Sequence, residues 1–129
     1  MTGKLLDTTV LIDLSRGNTD AADFVDTARS SGTPLFISVI SAMELIAGCR
    51  DKDEVKKAEK LIADFSLIHI SPAESAKAYA LILTYSKSHG LAIPDALIVA
   101  TAITRGLELS SDNARHFEMI PSLTVERPY

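Results

Sequence analysis

The chain has 129 residues, 47% hydrophobic, 23% charged and only 5% aromatic, a globular composition that excludes disorder and suits helices packed on a sheet better than a β-sandwich. A length of this kind buries roughly two thirds of its unfolded surface, so one domain spanning 1–129 is expected. The formal charge of −4 excludes a general basic surface for gripping nucleic acid, since nonspecific affinity comes mainly from Lys and Arg on phosphates; the single cysteine, Cys49, excludes an intramolecular disulfide and fits a reducing compartment.

Lys4 to Leu6 is a short apolar run followed by Asp7-Thr8-Thr9, after which Val10, Leu11 and Leu14 recur at helical spacing, the mark of a strand feeding a helix. Asp7 and Asp13 interrupt this run and no small-residue cleavage site follows, so it does not read as a signal peptide. Gly17 to Asp20 form a turn and helix start, and Ala21, Phe24, Val25 and Ala28 line a helix ending near Ser31-Gly32. Pro34 then opens a strand from Leu35 to Val39, followed by a helix from Ala42 to Ala47 ending at Gly48.

From Asp51 to Phe65 charged residues surround Val55, Ala58, Leu61, Ile62 and Phe65, an amphipathic helix with an acidic start. Leu67 to Ile70 is a third strand. Ser71-Pro72-Ala73-Glu74 combines an N-cap, a proline at the first helical position and a capping-box glutamate, predicting a helix to about His89-Gly90. A second helix begins at Ile93-Pro94-Asp95, apolar nearly all round and hence buried, and stops at Arg105-Gly106. Its longest apolar stretch, Ala96 to Ile103, is far too short to span a bilayer, so a cytoplasmic protein with no membrane partner is expected. A strand from Leu107 to Ser110, a short helix from Asn113 to Met119 and an edge strand from Leu123 to Val125 complete the chain. Alternating strands and helices imply an α/β three-layer sandwich with a central, mostly parallel sheet flanked by helices.

The acids that could carry chemistry each have a structural explanation, because each sits near a helix start. Asp7 can be an N-cap, Glu44 closes the capping box Ser41-Ala42-Met43-Glu44, Asp95 lies in a first turn and Asp112 precedes a short helix. Position changes the weighing. Asp7, Glu44 and the Asp112-Asn113 pair all follow predicted strands, and in an open parallel sheet ligands bind in the crevice outside the carboxyl ends of the strands. Asp95, on the buried helix, can point at the same rim.

Several carboxylates in one cleft repel, and no Lys or Arg lies in the immediate motif segments to neutralise them. Oxygen ligands without His or Cys favour a hard cation, Mg²⁺ or Mn²⁺, which can activate water in phosphodiester hydrolysis.

The segments 5–12 (LLDTTVLI), 41–45 (SAMEL) and 94–102 (PDALIVATA) resemble, in order and spacing, PIN-domain ribonucleases, with the nearest likeness to the VapC-type toxins of toxin–antitoxin pairs. The likeness runs over essentially the whole chain. It implies that Asp7, Glu44 and Asp95 are catalytic metal-site carboxylates, with Thr9 as the hydroxyl beside the first. At the fourth position the family's Thr-x-Asn/Asp ahead of a His/Asp-Phe pair corresponds to Ser111-Asp112-Asn113 before His116-Phe117, so Asp112 or Asn113 stands there. The resemblance further implies an RNA substrate, a cognate antitoxin protein and a homodimer, for which Ala76, Ala80, Leu83 and Leu91 offer apolar positions.

Arg115, close after the fourth position, is a candidate for phosphate contact. His69, His89 and His116 have no ligand spacing and read as solvated or packing residues; Lys56, Lys57 and Lys60 read as the solvated face of a helix. Two other classes remain open at this level. One is a catalytically silent protein-interaction module, which has no need of a divalent ion. The other is an aspartyl phosphoryl-transfer domain, disfavoured because Asp7-Thr8-Thr9 lacks a second nearby acid.

Overall fold

The computed structural model describes residues 2–129. Strand β1 (Lys4–Leu6) leads into helices α1 (Thr8–Ser15) and α2 (Thr19–Ser30), then strand β2 (Leu35–Ser38), helices α3 (Val39–Ala47) and α4 (Lys52–Ala63), and strand β3 (Ser66–Ile68). Helices α5 (Pro72–His89) and α6 (Ile93–Arg105) follow, then β4 (Glu108–Ser110), a 3₁₀ turn (Ala114–Phe117) and β5 (Val125–Glu126).

The sheet is parallel throughout, in the order β3-β2-β1-β4-β5. Strand β1 is central: Leu5 stands beside Phe36 on one side and Leu109 on the other. Alternation along the strands divides the core. Leu5 and Leu109 pack with Leu81, Ile98 and Val99 of α5 and α6, whereas Leu6 and Ile37 pack with Val10, Leu11, Val25 and Leu45 of the α1–α3 layer. Both faces being covered at the centre of the sheet, β1 and β2 are mainly apolar runs rather than alternating ones.

This order follows from handedness. Right-handed crossovers that place α1–α4 on one face build the sheet outward from β1 to β3, and a return to the far side of β1 requires the next crossover, α5–α6, to use the opposite face. The chain therefore reverses direction at β1, leaving a crevice at the carboxyl ends of β1 and β4, the usual ligand position in open α/β sheets.

The expected three-layer architecture is present, with local differences. Helix α3 begins at Val39, capped by Ser38, whose Oγ accepts from the Ile40 amide at 3.1 Å. Ser41 and Glu44 are thus inside the helix, and the expected capping box there does not exist. At α5, Ser71 makes no side-chain cap bond. Its hydroxyl donates instead to the Glu74 carboxylate, whose other oxygen accepts from Arg105 Nε of α6 at 2.7 Å. Leu91, expected on a self-association face, is only 3% exposed: Gly90, with φ +67°, ends α5 in the left-handed conformation and turns the chain back into the core. No helix among the described residues is long and apolar enough to cross a membrane.

Candidate functional site

Asp7 occupies the position before α1 with extended backbone (φ −67°, ψ 161°), yet its side chain caps nothing. Its Oδ2 accepts from Ser111 Oγ at 2.7 Å and from Thr9 Oγ1 at 3.2 Å. The carboxylate is 3% exposed. Backbone pairing sets this geometry: the Asp7 amide donates to the Ser110 carbonyl at 2.9 Å, extending the β1–β4 ladder by one step and bringing Ser111 against Asp7.

Glu44 lies on the exposed side of α3, where its Oε1 accepts from Thr8 Oγ1 at 2.7 Å. Thr8 Oγ1 also lies 3.0 Å from buried Ser41 Oγ, so the first turn of α1 is bonded to the middle of α3. Asp95, third residue of α6, makes no capping bond either. Its carboxyl is held above the usual aspartate range chiefly by burial, then by the negative fields of Asp7 and Glu44; His116 opposes the shift. His116 Nε2 is 3.9 Å from Asp95 Oδ2 and its ring meets Phe117 edge-on at 5.3 Å. A solvated or packing role had been expected for His116.

The fourth segment is arranged differently. Thr9 Oγ1, besides donating to Asp7, accepts from the Asp112 amide at 3.1 Å, and the Asn113 amide donates to Ser111 Oγ at 3.0 Å. Ser111, Asp112 and Asn113 are therefore fastened to Asp7 through two hydroxyls. The Asp112 carboxylate faces Arg127, whose Nε lies 3.5 Å away, and the Asn113 side chain makes no cap. Arg115 is exposed on the 3₁₀ turn. Motif reading singled out none of Thr8, Ser111 and Arg127 as functional; the first two hold the candidate acids Glu44 and Asp7, and the third stands beside Asp112. Their signal is spatial, although the hydroxyl side chains directly after two strand ends are a hint available in the sequence.

The PIN-domain family profile matches residues 4–121. The chain belongs to the PIN-domain family. Among curated PIN relatives, ribonuclease VapC10 of Mycobacterium tuberculosis is 36% identical over 120 residues, covering 92% of this chain and 89% of that protein. Ribonuclease VapC of Rickettsia bellii is 33% identical over 131 residues, covering 95% and 94%. A toxin–antitoxin complex from Klebsiella pneumoniae contains a chain 32% identical with a TM-score of 0.77, covering 98% of both chains. The DNA-bound VapBC of Salmonella typhimurium, 21% identical with a TM-score of 0.81 and the same coverage, shares the fold.

The donor chemistry of this PIN domain fits a hard divalent ion. Asp7, Glu44 and Asp95 offer only oxygen, and no Lys or Arg is hydrogen-bonded or ion-paired to any of the three among the described residues. Among the described residues no three His, Cys, Asp or Glu side chains stand close enough to form a ready ligand group. Mg²⁺ suits such a site because it retains several waters and is held by one or two carboxylates plus substrate phosphate. Beside Glu44 opens a groove of about 790 Å³ between α1, α3 and α4, floored by Ile12, Leu45 and Leu61 and rimmed by Arg16, Arg50 and Lys57.

Proposed function

We propose that this chain is a Mg²⁺- or Mn²⁺-dependent endoribonuclease, the toxin of a toxin–antitoxin pair, formed by a single PIN domain over residues 1–129. The observation that carries the reading is Asp7, buried at the reversal point of a parallel sheet and held by Ser111 from the neighbouring strand end, with no Lys or Arg paired to it, to Glu44 or to Asp95 among the described residues. The ribonuclease names of relatives up to 36% identical over nearly the whole chain support the reaction class. In this reading a bound divalent ion polarises the phosphodiester and lowers the pKa of the attacking water.

The chain's own groups hold and orient. Ser111 and Thr9 lock Asp7 Oδ2, leaving its other carboxylate oxygen for the ion; Thr9, which donates to Asp7 and accepts from the Asp112 amide, keeps a second lone pair for a substrate hydroxyl. Thr8 steadies Glu44, and Asp95 supplies a third carboxylate from the opposite helical layer. Asp112 or Asn113 completes the site, and exposed Arg115 meets a phosphate of the substrate.

The antitoxin follows from charge and shape. One segment lying in the groove between α1, α3 and α4 covers its apolar floor and brings a basic side chain to the unpaired carboxylates of Glu44 and Asp7. Self-association uses the outer face of α5, where Tyr79 and Leu83, one turn apart, are 68% and 69% exposed. Large exposed apolar side chains grouped this way mark an interface.

Incubation of the purified protein with mixed structured and unstructured RNAs, with Mg²⁺, Mn²⁺ or chelator, tests the class. Chelator-sensitive internal cleavage is expected. Intact RNA in every arm, with no thermal shift from Mn²⁺, would leave a protein-interaction module instead.

A further inference from the structure

The segment after residue 121 lies beyond the span matched by the family profile, yet it is tied to the site at several points. Strand β5 pairs with β4, and the Ser111 amide donates to the Glu126 carbonyl at 3.0 Å. Glu126 is itself anchored, accepting from Lys4 Nζ at 2.5 Å and from Ser110 Oγ at 2.9 Å. Three residues later Tyr129 donates its hydroxyl to Asp13 Oδ2 of α1 at 2.6 Å and packs its ring 6.2 Å from that of Phe24. Burial first, and the Asp13 bond second, push the Tyr129 hydroxyl well above its usual pKa, so it remains a donor.

Arg127 lies between these two anchors, followed by Pro128, whose ring restricts the backbone. Its side chain is 70% exposed and, among the described residues, its one ion pair is with half-exposed Asp112 at 3.5 Å. Such a pair is worth little in water and is readily exchanged for a stronger, bidentate contact with phosphate. The segment thus presents a second cation, besides Arg115, beside the candidate acids, on backbone held at both ends by hydrogen bonds. Ordering beforehand reduces the entropy lost on binding.

We infer that Arg127 is a substrate-positioning residue, gripping an RNA phosphate flanking the one that is cleaved. The inference rests on the ribonuclease reading and adds to it a recognition element outside the family-matched span. Arg127 swings from Asp112 to the incoming phosphate, which both anchors the RNA and releases Asp112 to face the site.

The test compares wild type, Arg127→Ala, Arg127→Lys and, as a distant charge control, Lys87→Ala at the end of α5. A mixed-sequence 20-nucleotide single-stranded RNA serves two assays: cleavage with Mn²⁺ at several salt concentrations, and binding in chelator. For Arg127→Ala the expected result is a rise of about ten-fold in KM and in metal-free Kd. The salt slope should flatten by about 0.7, the value for one phosphate contact on a single strand, with kcat and the Mn²⁺ thermal shift little changed. Arg127→Lys should restore the salt slope but only part of the affinity, and Lys87→Ala should behave as wild type. Unchanged KM, Kd and salt slope in Arg127→Ala would overturn the assignment. A fall in kcat at unchanged KM, with an altered Mn²⁺ shift, would overturn it too, by making Arg127 a support for Asp112 alone. Failure of wild type to cleave any RNA is a different result and removes the nuclease reading itself.

Discussion

Replacing Asp95 with Asn separates a helix-start role from a site role, because the two predict opposite signs. Asp95 is the third residue of α6 and its carboxylate meets the positive end of the helix dipole. That attraction is worth about 0.3–1 kcal/mol, which for a chain of this size corresponds to a melting temperature lowered by about 1–5 °C when the charge is removed. Against it stand partial burial and the repulsion from Asp7 and Glu44, which hold the Asp95 carboxyl above its usual range. Those unfavourable influences outweigh the opposing field of His116. The metal-free variant should therefore melt at the wild-type temperature or above it. With Mn²⁺ at a hundred times its Kd, wild type should gain about 2.7 kcal/mol, or roughly 10 °C by the same scaling. Asp95→Asn should gain much less and should not cleave RNA. Scanning fluorimetry in chelator and in Mn²⁺, paired with the RNA assay at one ionic strength, reads all three quantities. A variant that melts lower without metal, keeps the full Mn²⁺ shift and still cleaves would refute the reasoning.

Ser111→Ala removes a fully buried hydroxyl that donates to Asp7 and accepts from the Asn113 amide; chemical denaturation should show a loss of about 1–3 kcal/mol, and kcat should fall because Asp7 is no longer held. Glu74 is 1% exposed, and the Ser71 hydroxyl, followed by Arg105, holds its carboxyl down at about 2. Its contribution is present above the unfolded value near pH 4.3 and is lost as pH falls toward 2. Glu74→Gln should accordingly cost about 1–2 kcal/mol at pH 7 and flatten the stability profile between about pH 4.5 and 2, as measured by denaturant melts across that range. Leu83→Glu combined with Tyr79→Glu should leave the fold intact, both side chains being largely exposed, and should give monomers by sedimentation at micromolar concentration where wild type gives dimers.

The parts of this architecture legible in the sequence were those set by short-range pattern. The strand-to-helix alternation and the placing of Asp7 and Asp112 directly after strands followed from apolar runs and punctuation. Capping motifs were a poorer guide. Ser41 and Glu44 have capping-box spacing, but Ser38 captures the helix start three residues earlier and carries the serine into the core. Ser71 and Glu74 likewise bond to each other, and a distant Arg105 claims the remaining carboxylate oxygen. Local spacing cannot register a competitor 31 residues away. The same applies to the surroundings of Asp112, where the nearby cation is Arg127 rather than the adjacent Arg115, and to His116, whose approach to Asp95 depends on where the 3₁₀ turn meets α6.

The Asp7–Ser111 bond joins residues 104 positions apart, and this has a consequence for the order in which the molecule comes into being. A growing polypeptide carries Asp7 from almost its first moment, but β1 remains an open edge on its β4 side until residues 108–110 exist to pair with it. At about 5–20 residues per second, some 5–20 s of synthesis separate the two partners. During that interval the β1 edge is unfilled and Asp7 lacks the hydroxyl that fixes it. Incomplete translation products ending before β4 therefore cannot assemble the cleft, so a potentially harmful activity is withheld from every stalled or truncated copy without any inhibitor being needed.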